Sequence, residues 1–532
     1  MAKTPTIDII TGKTDITISP KTKSANYVYN NSLADGTNVN LSLDTQSYTS
    51  AYVSMYRNGD DLVIISKFNK NSIPKKTVTS TLKDYFTNAK AGDVLGAWNF
   101  KKNDESYVSS AKSYIYDKVL EGKIFEKESA KFDAIIGNSK GNTYKLLYSG
   151  GDKIFEDKGN ESYTIAYEYV DGLSSSIYEY AGKDKYDISG GAKANIQEYA
   201  GNDKYILAKS SGNLYEYAGN DTYNLGNDVQ LIIADRAGKD SYTLKDVTVT
   251  AVPTYMITDD KGNDKYSFEN VKGSSTNEFT VHDLEGKDKY TIKGTNGSNS
   301  NKSLEIIDGQ PGLNATVSGN DTYNISNANY AKITDYGGNN KFTLDMARNI
   351  SIKTSGAGKE ASNNDKFTIK NSSGIEITSF MDGYTNESDN DTYTVSGTAP
   401  KKKKEAMYSS DVVIQDNHTK SSDTYNFSYY VEGDDFSVID QGGSDKYNIS
   451  NCGKINIRDY QENKHPDEAK GKTYTNTYTI KTQQDSSLIT ATIQVVITIM
   501  LRWIHIISLR VLVLYLITAQ TKQVMTLIKL TN

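Results

Sequence analysis

Hydrophobic and polar residues alternate along most of this chain in short runs, the two-residue period of a β-strand. The stretch "LYEYAGNDTYNL" (Leu214–Leu225) shows the form. It returns as "IQEYAGNDKYIL", "IADRAGKDSYTL" and "ITDDKGNDKYSF". Within it, Leu214 and Glu216 share one strand face and Tyr215 and Tyr217 the other. Beyond the Ala218-Gly219-Asn220 turn, Asp221, Tyr223 and Leu225 again share a face. With Leu214 and Leu225 inward, Glu216 and Asp221 lean inward at the two lips of one turn.

Aligning the Asp of the G-x-D-x-Y core gives Asp184, Asp203, Asp221, Asp240, Asp264, Asp288, Asp321, Asp391, Asp423 and Asp445, with degenerate copies at Asp335–Leu344 and Ser362–Ile369. The tightest spacings, between Asp184 and Asp240, are 18 or 19 residues. Longer ones are expected to place their extra residues at a loose corner, after the Y-x-hydrophobic segment. Self-similarity at this period predicts a solenoid. The expected fold is all-β: a parallel β-roll or β-solenoid of about 18–30-residue coils, each coil a strand, a tight turn, a strand and a loose turn. Residues 137–481 form the roll and 1–136 a small, mainly β N-terminal region. There "YRNGDDLVIIS" (Tyr56–Ser66) reads as a hairpin strand after an Asn-Gly turn. "TVTSTLKDYF" (Thr77–Phe86) reads as a further strand, and Ser110–Phe132 as partly helical.

The parity argument makes paired acids the candidate chemistry. Glu179/Asp184, Glu198/Asp203, Glu216/Asp221, Asp235/Asp240, Asp259/Asp264, Asp283/Asp288 and Asp440/Asp445 each flank one turn, joined by Asp321 and Asp335. Carboxylates converging in register repel unless a cation lies between them. Asp and Asn are also natural turn residues that bond their own backbone, so a metal-free reading stands beside the metal one. Composition favours partners of positive charge. The net charge of −6 and pI near 5.5 argue against nucleic acid. The 40 tyrosines argue against disorder. Tyr186, Tyr205, Tyr223, Tyr242, Tyr266 and Tyr290 are expected to stack as an inward or edge ladder, while Tyr180, Tyr199 and Tyr217 face outward toward a partner.

The G-N-D-x-Y units resemble the RTX, or haemolysin-type, calcium-binding nonapeptide repeats of pattern G-G-x-G-x-D-x-hydrophobic-x. Gly219, Asp221 and Tyr223 match its fourth, sixth and eighth places, while Glu216 and Tyr217 replace its first two glycines. "RNGDDLVI" and "TLKDYF", within residues 50–90, resemble a module that accompanies such repeats. The resemblance implies several Ca²⁺ ions, at most one row along the roll, bound by the sixteen acids named above. It also implies a secreted or cell-surface bacterial protein that leaves by type I secretion and folds where calcium is available. An adhesin, scaffold or virulence-type exoprotein, with a host or cell-surface protein or glycan as partner, is the expected role. A metal-independent adhesive solenoid is the alternative. The N-terminus has no basic segment followed by an apolar run, so no Sec-type leader is expected.

Enzymatic chemistry is not expected. The chain has no H-E-x-x-H, G-x-S-x-G or P-loop motif. Paired acids that recur in every coil do not single out one catalytic pair. The one cysteine, Cys452, excludes an intramolecular disulfide framework and is expected inside a strand. Residues 482–532 break the pattern: after Asp485 there is no Gly, Asp or Glu. The apolar run 488–518 has the length of a membrane span, which makes a tail-anchored surface protein a further alternative, but Arg502, His505 and Arg510 interrupt it. Read from the third base of each codon, Trp503-Ile504 and Met525-Thr526 each force an aspartate, in contexts that permit the G-N-D-x-Y motif. The tail is therefore expected to be repeat sequence read out of frame.

Overall fold

The computed structural model describes the backbone of strands from Thr6 to Thr531, and side chains chiefly between residues 141 and 479. The described residues form strands and turns without a helix, so the protein is all-β. It divides into two compact units, Met1–Ala237 and Gly238–Asn532.

The first unit opens with two five-stranded arrangements. In one, Ser50–Asn58 and Asp61–Lys70 form the expected hairpin, with Asn58 opposite Asp61. Ile73–Leu82 adds a third antiparallel strand, and Ala25–Tyr29 joins it in parallel. Residues 84–86 lie outside the described residues. Where helix was expected, the described residues are strands: Tyr114–Ile115, Lys118–Val119 and Ile124–Lys127. The last two pair in parallel with Ala134–Ile136 and Thr143–Leu147, so the solenoid's register reaches ahead of Gly137 and sheet pairing overrides local helix preference.

From there strands alternate between two parallel sheets. In one, Ser175–Glu179, Lys193–Glu198, Ser211–Glu216 and Gln230–Asp235 lie side by side, with Ile177, Ile196, Leu214 and Ile233 in line. In the other, Lys185–Ser189, Lys204–Leu207 and Thr222–Leu225 align Tyr186, Tyr205 and Tyr223. The second unit repeats the plan. Phe279–Asp283 and Leu304–Asp308 belong to one sheet, and Lys265–Glu269 and Lys289–Lys293 to the other. This is an open parallel β-solenoid. Coils measured between equivalent turn positions run from 18 to 33 residues.

Every second side chain points inward, and the inward set is Leu, Ile, Val, Tyr and Phe, each almost fully buried. Burying one such side chain contributes roughly 1.5–3 kcal/mol, so each coil depends on its neighbours to cover it. In-register parallel strands also force the tyrosine rings together. Tyr186, Tyr205 and Tyr223 stack at 4.8 and 4.9 Å, the spacing of the strands that carry them.

The corners differ. At the loose corner the chain turns through left-handed φ at Gly190, Lys209, Asp246, Asn270, Gly294 and Asn327. Cys452 is buried just past the strand Lys446–Ser450 rather than within it, its Sγ donating to the Ser450 carbonyl at 3.3 Å. Burial pushes its thiol up to about 12, which leaves it unreactive. Insertions are not confined to this corner as expected. At the acid corner Asp221 follows Glu216 by five residues, but Asp321 follows Asp308 by thirteen.

The tail contributes backbone strands: Val495–Leu501 pairs in parallel with Ile455–Gln461, and Ile528–Thr531 antiparallel with Thr475–Lys481. Trp503, His505 and residues 523–526 lie outside the described residues. No helix among the described residues is long and apolar enough to cross a membrane.

Candidate metal centre

All sixteen acids singled out by parity are buried, none more than 2% exposed. Two local rules put them there. The inward face of one strand ends in Glu or Asp, and the inward face of the next begins with Asp. Gly201, Gly219, Gly262 and Gly286 separate these two positions without adopting a left-handed φ. Their role is space. A Cβ on Gly219 would lie 2.6 Å from Asp221 Oδ1 and 2.7 Å from the Gly201 carbonyl oxygen. On Gly286 it would meet Asp288 Oδ2 and the Gly262 carbonyl, both at 2.5 Å. The carboxylate folds back over the bare glycine, against the carbonyl of the preceding coil.

Each turn aspartate holds its neighbour. Asp184 N–H donates to Asp203 Oδ1 at 2.7 Å, and Asp203 N–H to Asp221 Oδ1 at 2.6 Å. In the second unit Asp240, Asp264, Asp288 and Asp321 continue the ladder. Asn340 and Asn476 serve as acceptors where an acid is missing. A parallel, exposed ladder runs through the asparagine of G-N-D, with Asn220 N–H donating to Asn202 Oδ1 at 2.9 Å.

The strand-end acids are held by the tyrosine ladder. The hydroxyl of Tyr163 donates to Glu179 at 2.8 Å, that of Tyr186 to Glu198 at 2.7 Å and that of Tyr205 to Glu216 at 2.7 Å. Tyr223 reaches Asp235, and Tyr266 reaches Asp283. Each tyrosine thus bonds the acid of the following coil. The partnership extends to its exceptions: Thr354 and Ser379 replace the acid, and the rings one strand earlier are Phe342 and Phe367, which have no hydroxyl. Hydrophobic periodicity assigned the tyrosines to the core and missed this polar role. The matched loss of hydroxyl and acid was the sequence signal that could have shown it.

What remains is a cluster of oxygens without donors. One oxygen each from Asp184, Glu198 and Asp203 lie within 4.8 Å of one another, and the same holds for Glu161/Glu179/Asp184 and Asp203/Glu216/Asp221. The centre therefore joins the two acids of one turn to the turn aspartate of the coil before. No hydrogen-bond donor reaches Asp184 Oδ2, Glu198 Oε1 or Asp203 Oδ2. Burial pushes Asp184 up to about 6, and burial with the charges of Asp184 and Asp221 pushes Asp203 up to about 8. Glu198 is driven well above the carboxylate range by burial and then by Asp203 and Glu216. Asp288 rises to about 8 for the same reasons, burial first and then Asp308.

Asp235 closes the first unit's row, and Asp240 opens the second's. In the second unit Asp259, Asp264, Asp283, Asp288, Asp321, Asp335, Asp440 and Asp445 occupy the same two positions. Further acids share these positions: Glu156, Glu161, Asp308, Asp365 and Asp416, and also Asp391 and Asp423, which the repeat alignment located but the paired-acid set left out. The outward Tyr180, Tyr199 and Tyr217 are half-buried and form their own short row, with centroids 5.4 and 6.0 Å apart. Lys158 lies over Tyr180 and Arg236 over Tyr217.

Compared with protein-family models, curated proteins and solved structures, the chain has no match in any of the three.

Proposed function

We propose that the solenoid is a calcium-stabilised, non-enzymatic repeat module. The observation that supports it is the group Asp184, Glu198 and Asp203: three buried acids with one oxygen each within 4.8 Å of the others, and each with an oxygen that no donor reaches. Stacked carboxylates without a counter-charge must take up protons or share a cation. Where a coil brings two acids, one divalent ion makes that coil neutral. A hard, all-oxygen donor set suits Ca²⁺, and its preference for six to eight oxygens calls on both carboxylate oxygens and the glycine carbonyls beside them. Glu179, Asp184, Glu198, Asp203, Glu216 and Asp221 would hold the ions of the first unit, and the corresponding aspartates those of the second.

On this reading the acids repel where calcium is scarce and the chain stays loose. Where calcium is plentiful, ions bridge successive coils and the roll forms. That switch suits a secreted or surface-displayed bacterial exoprotein with an adhesive or scaffolding role. The full chain, followed by far-UV circular dichroism, should gain β-signal on adding Ca²⁺ at about 10⁻⁴–10⁻³ M and lose it to chelator. Mg²⁺ should not replace it. A β-spectrum indifferent to both ions would sink the proposal.

A second reading rests on Asn340. It accepts the Asp321 N–H at 2.8 Å and donates its own amide to the Gly337 carbonyl at 3.0 Å, so a coil stacks there with a neutral turn residue. If every aspartate served only as that acceptor, the roll would be a metal-independent scaffold, and chelator would leave its melting temperature unchanged.

A further inference from the structure

The acid row of the second unit changes character after Asp335. Thr354 and Ser379 end their strands without a carboxylate, Asn340 is a neutral turn residue, and Phe342 and Phe367 lie beneath them. The next acid corner, "DNHTKSSD" from Asp416 to Asp423, is built differently from the others. Asp423 follows Asp416 by seven residues where Asp221 follows Glu216 by five, and the added length brings a histidine inside. His418 is 1% exposed.

Its backbone N–H donates to Asp416 Oδ1 at 3.1 Å, and its Nδ1 lies 2.9 Å from the same oxygen. Ser379 Oγ is 3.4 Å from Nδ1 and 3.3 Å from Asp391 Oδ2. One donor atom each from Asp391, Asp416 and His418 fit within 4.8 Å of one another, all three residues buried. A third carboxylate completes the surroundings. Asp423 is 1% exposed, its Oδ1 accepts the Asp391 N–H at 2.7 Å, and no hydrogen-bond donor reaches its Oδ2. Burial, and then the charges of Asp416 and Asp391, make it a weaker acid than an ordinary carboxyl group, which places it in the same field.

The geometry points to a site for a borderline divalent transition ion of the zinc class, held by His418 Nδ1 with Asp416 and Asp391. A tetrahedral ion with ligands at about 2.0–2.2 Å separates them by roughly 3.3 Å; here Nδ1 and Asp416 Oδ1 are 2.9 Å apart and the Asp391 oxygen lies within 4.8 Å of both ligands. An imidazole nitrogen is a poor ligand for calcium and a good one for zinc, so this coil differs in chemistry from the all-oxygen coils. Two carboxylates and a neutral imidazole balance one M²⁺ ion. The ion takes the place of the Nδ1 proton, which leaves the ring protonated at Nε2. Three protein ligands with Asp423 beside them, all of them buried, describe a structural site. It ties together two coils on the far side of the neutral stretch, and it stands on its own residues whether or not the other coils take calcium.

The test uses the full chain in excess Ca²⁺, titrated with Zn²⁺ by calorimetry and with Co²⁺ by visible absorption. One equivalent should bind, and His418→Gln should weaken binding at least tenfold while the calcium response stays. No transition-metal binding, or equal affinity in His418→Gln, overturns the site. A second measurement guards against a variant that fails to fold. His282→Gln, His465→Gln and His505→Gln together leave His418 as the last of the chain's four histidines. Zinc-edge X-ray absorption of that triple variant should show a nitrogen-type scatterer at about 2.0 Å. An oxygen-only shell refutes the assignment.

Discussion

Asp203→Asn separates a cation site from a turn cap, because the roll already tolerates asparagine at this rung. Asn340 and Asn476 accept the same backbone N–H that Asp203 accepts from Asp184, so the substitution keeps the ladder and removes only the charge. The size of the effect follows from the acid's environment. Without metal, Asp203 is held at about 8 against an ordinary 3.8. At pH 7 the unfolded chain gains from ionising it across about three pH units, and the folded chain does not. At 1.36 kcal/mol per unit, that is an upper bound of about 4 kcal/mol against folding. In chelator at pH 7, Asp203→Asn should therefore be more stable than wild type by about 1–4 kcal/mol. In Ca²⁺ the order should reverse, since the variant gives up one carboxylate from each of two neighbouring centres. Urea melts of both proteins, in chelator and in saturating Ca²⁺, measure all four stabilities. A variant less stable than wild type in chelator, with an unaltered calcium increment, would refute the reasoning and make Asp203 a cap.

Other outcomes follow from the same geometry. For pH, the sign is set by folded-state values above unfolded ones. Asp184 at about 6 and Asp203 and Asp288 at about 8 stabilise the metal-free roll fully below the unfolded carboxylate range near 4, and that stability is lost as pH rises to 8. The melting temperature in chelator should fall between pH 4.5 and pH 8, and a flat or rising profile would count against the buried cluster. Gly219→Ala places a methyl group against the Asp221 carboxylate and the Gly201 carbonyl, and should cost about 1–3 kcal/mol in urea melts with calcium present. Tyr205→Phe leaves Glu216 without its 2.7 Å donor and should cost about 1–3 kcal/mol. The double change Tyr205→Phe/Glu216→Thr, which copies Phe342 and Thr354, should cost less in chelator than Tyr205→Phe alone, as a double-mutant cycle would show. Sequencing the coding DNA tests the tail: repeat codons in the alternative frame from Gln494 to Thr526 are expected, and their absence would remove the frameshift proposal.

Much of the architecture was legible because its causes are local. Alternation in "LYEYAGNDTYNL" requires a strand, a turn and a strand, and it sends Leu214, Glu216, Asp221, Tyr223 and Leu225 inward without reference to any other part of the chain. The 18-residue spacing then implies stacking, since neither sheet can bury its inward face alone. The expected helix at Ser110–Phe132 failed for the converse reason. Lys118–Val119 and Ile124–Lys127 are strands because neighbouring coils offer them edges to pair with, which no local propensity reports.

By itself, then, the sequence determined the strand period, the inward placement of the acids and their pairing across each turn, all consequences of side-chain parity. Only stacking decided which groups meet between coils. It places Tyr205 under Glu216, Asp184 beside Asp203, and His418 among Asp416, Asp391 and Ser379, a residue 39 positions away in sequence. Such contacts depend on register, which sets partners by coil number rather than by distance along the chain. The role of the repeat glycine is likewise visible only in three dimensions: at Gly219 and Gly286 the missing Cβ makes room for a carboxylate.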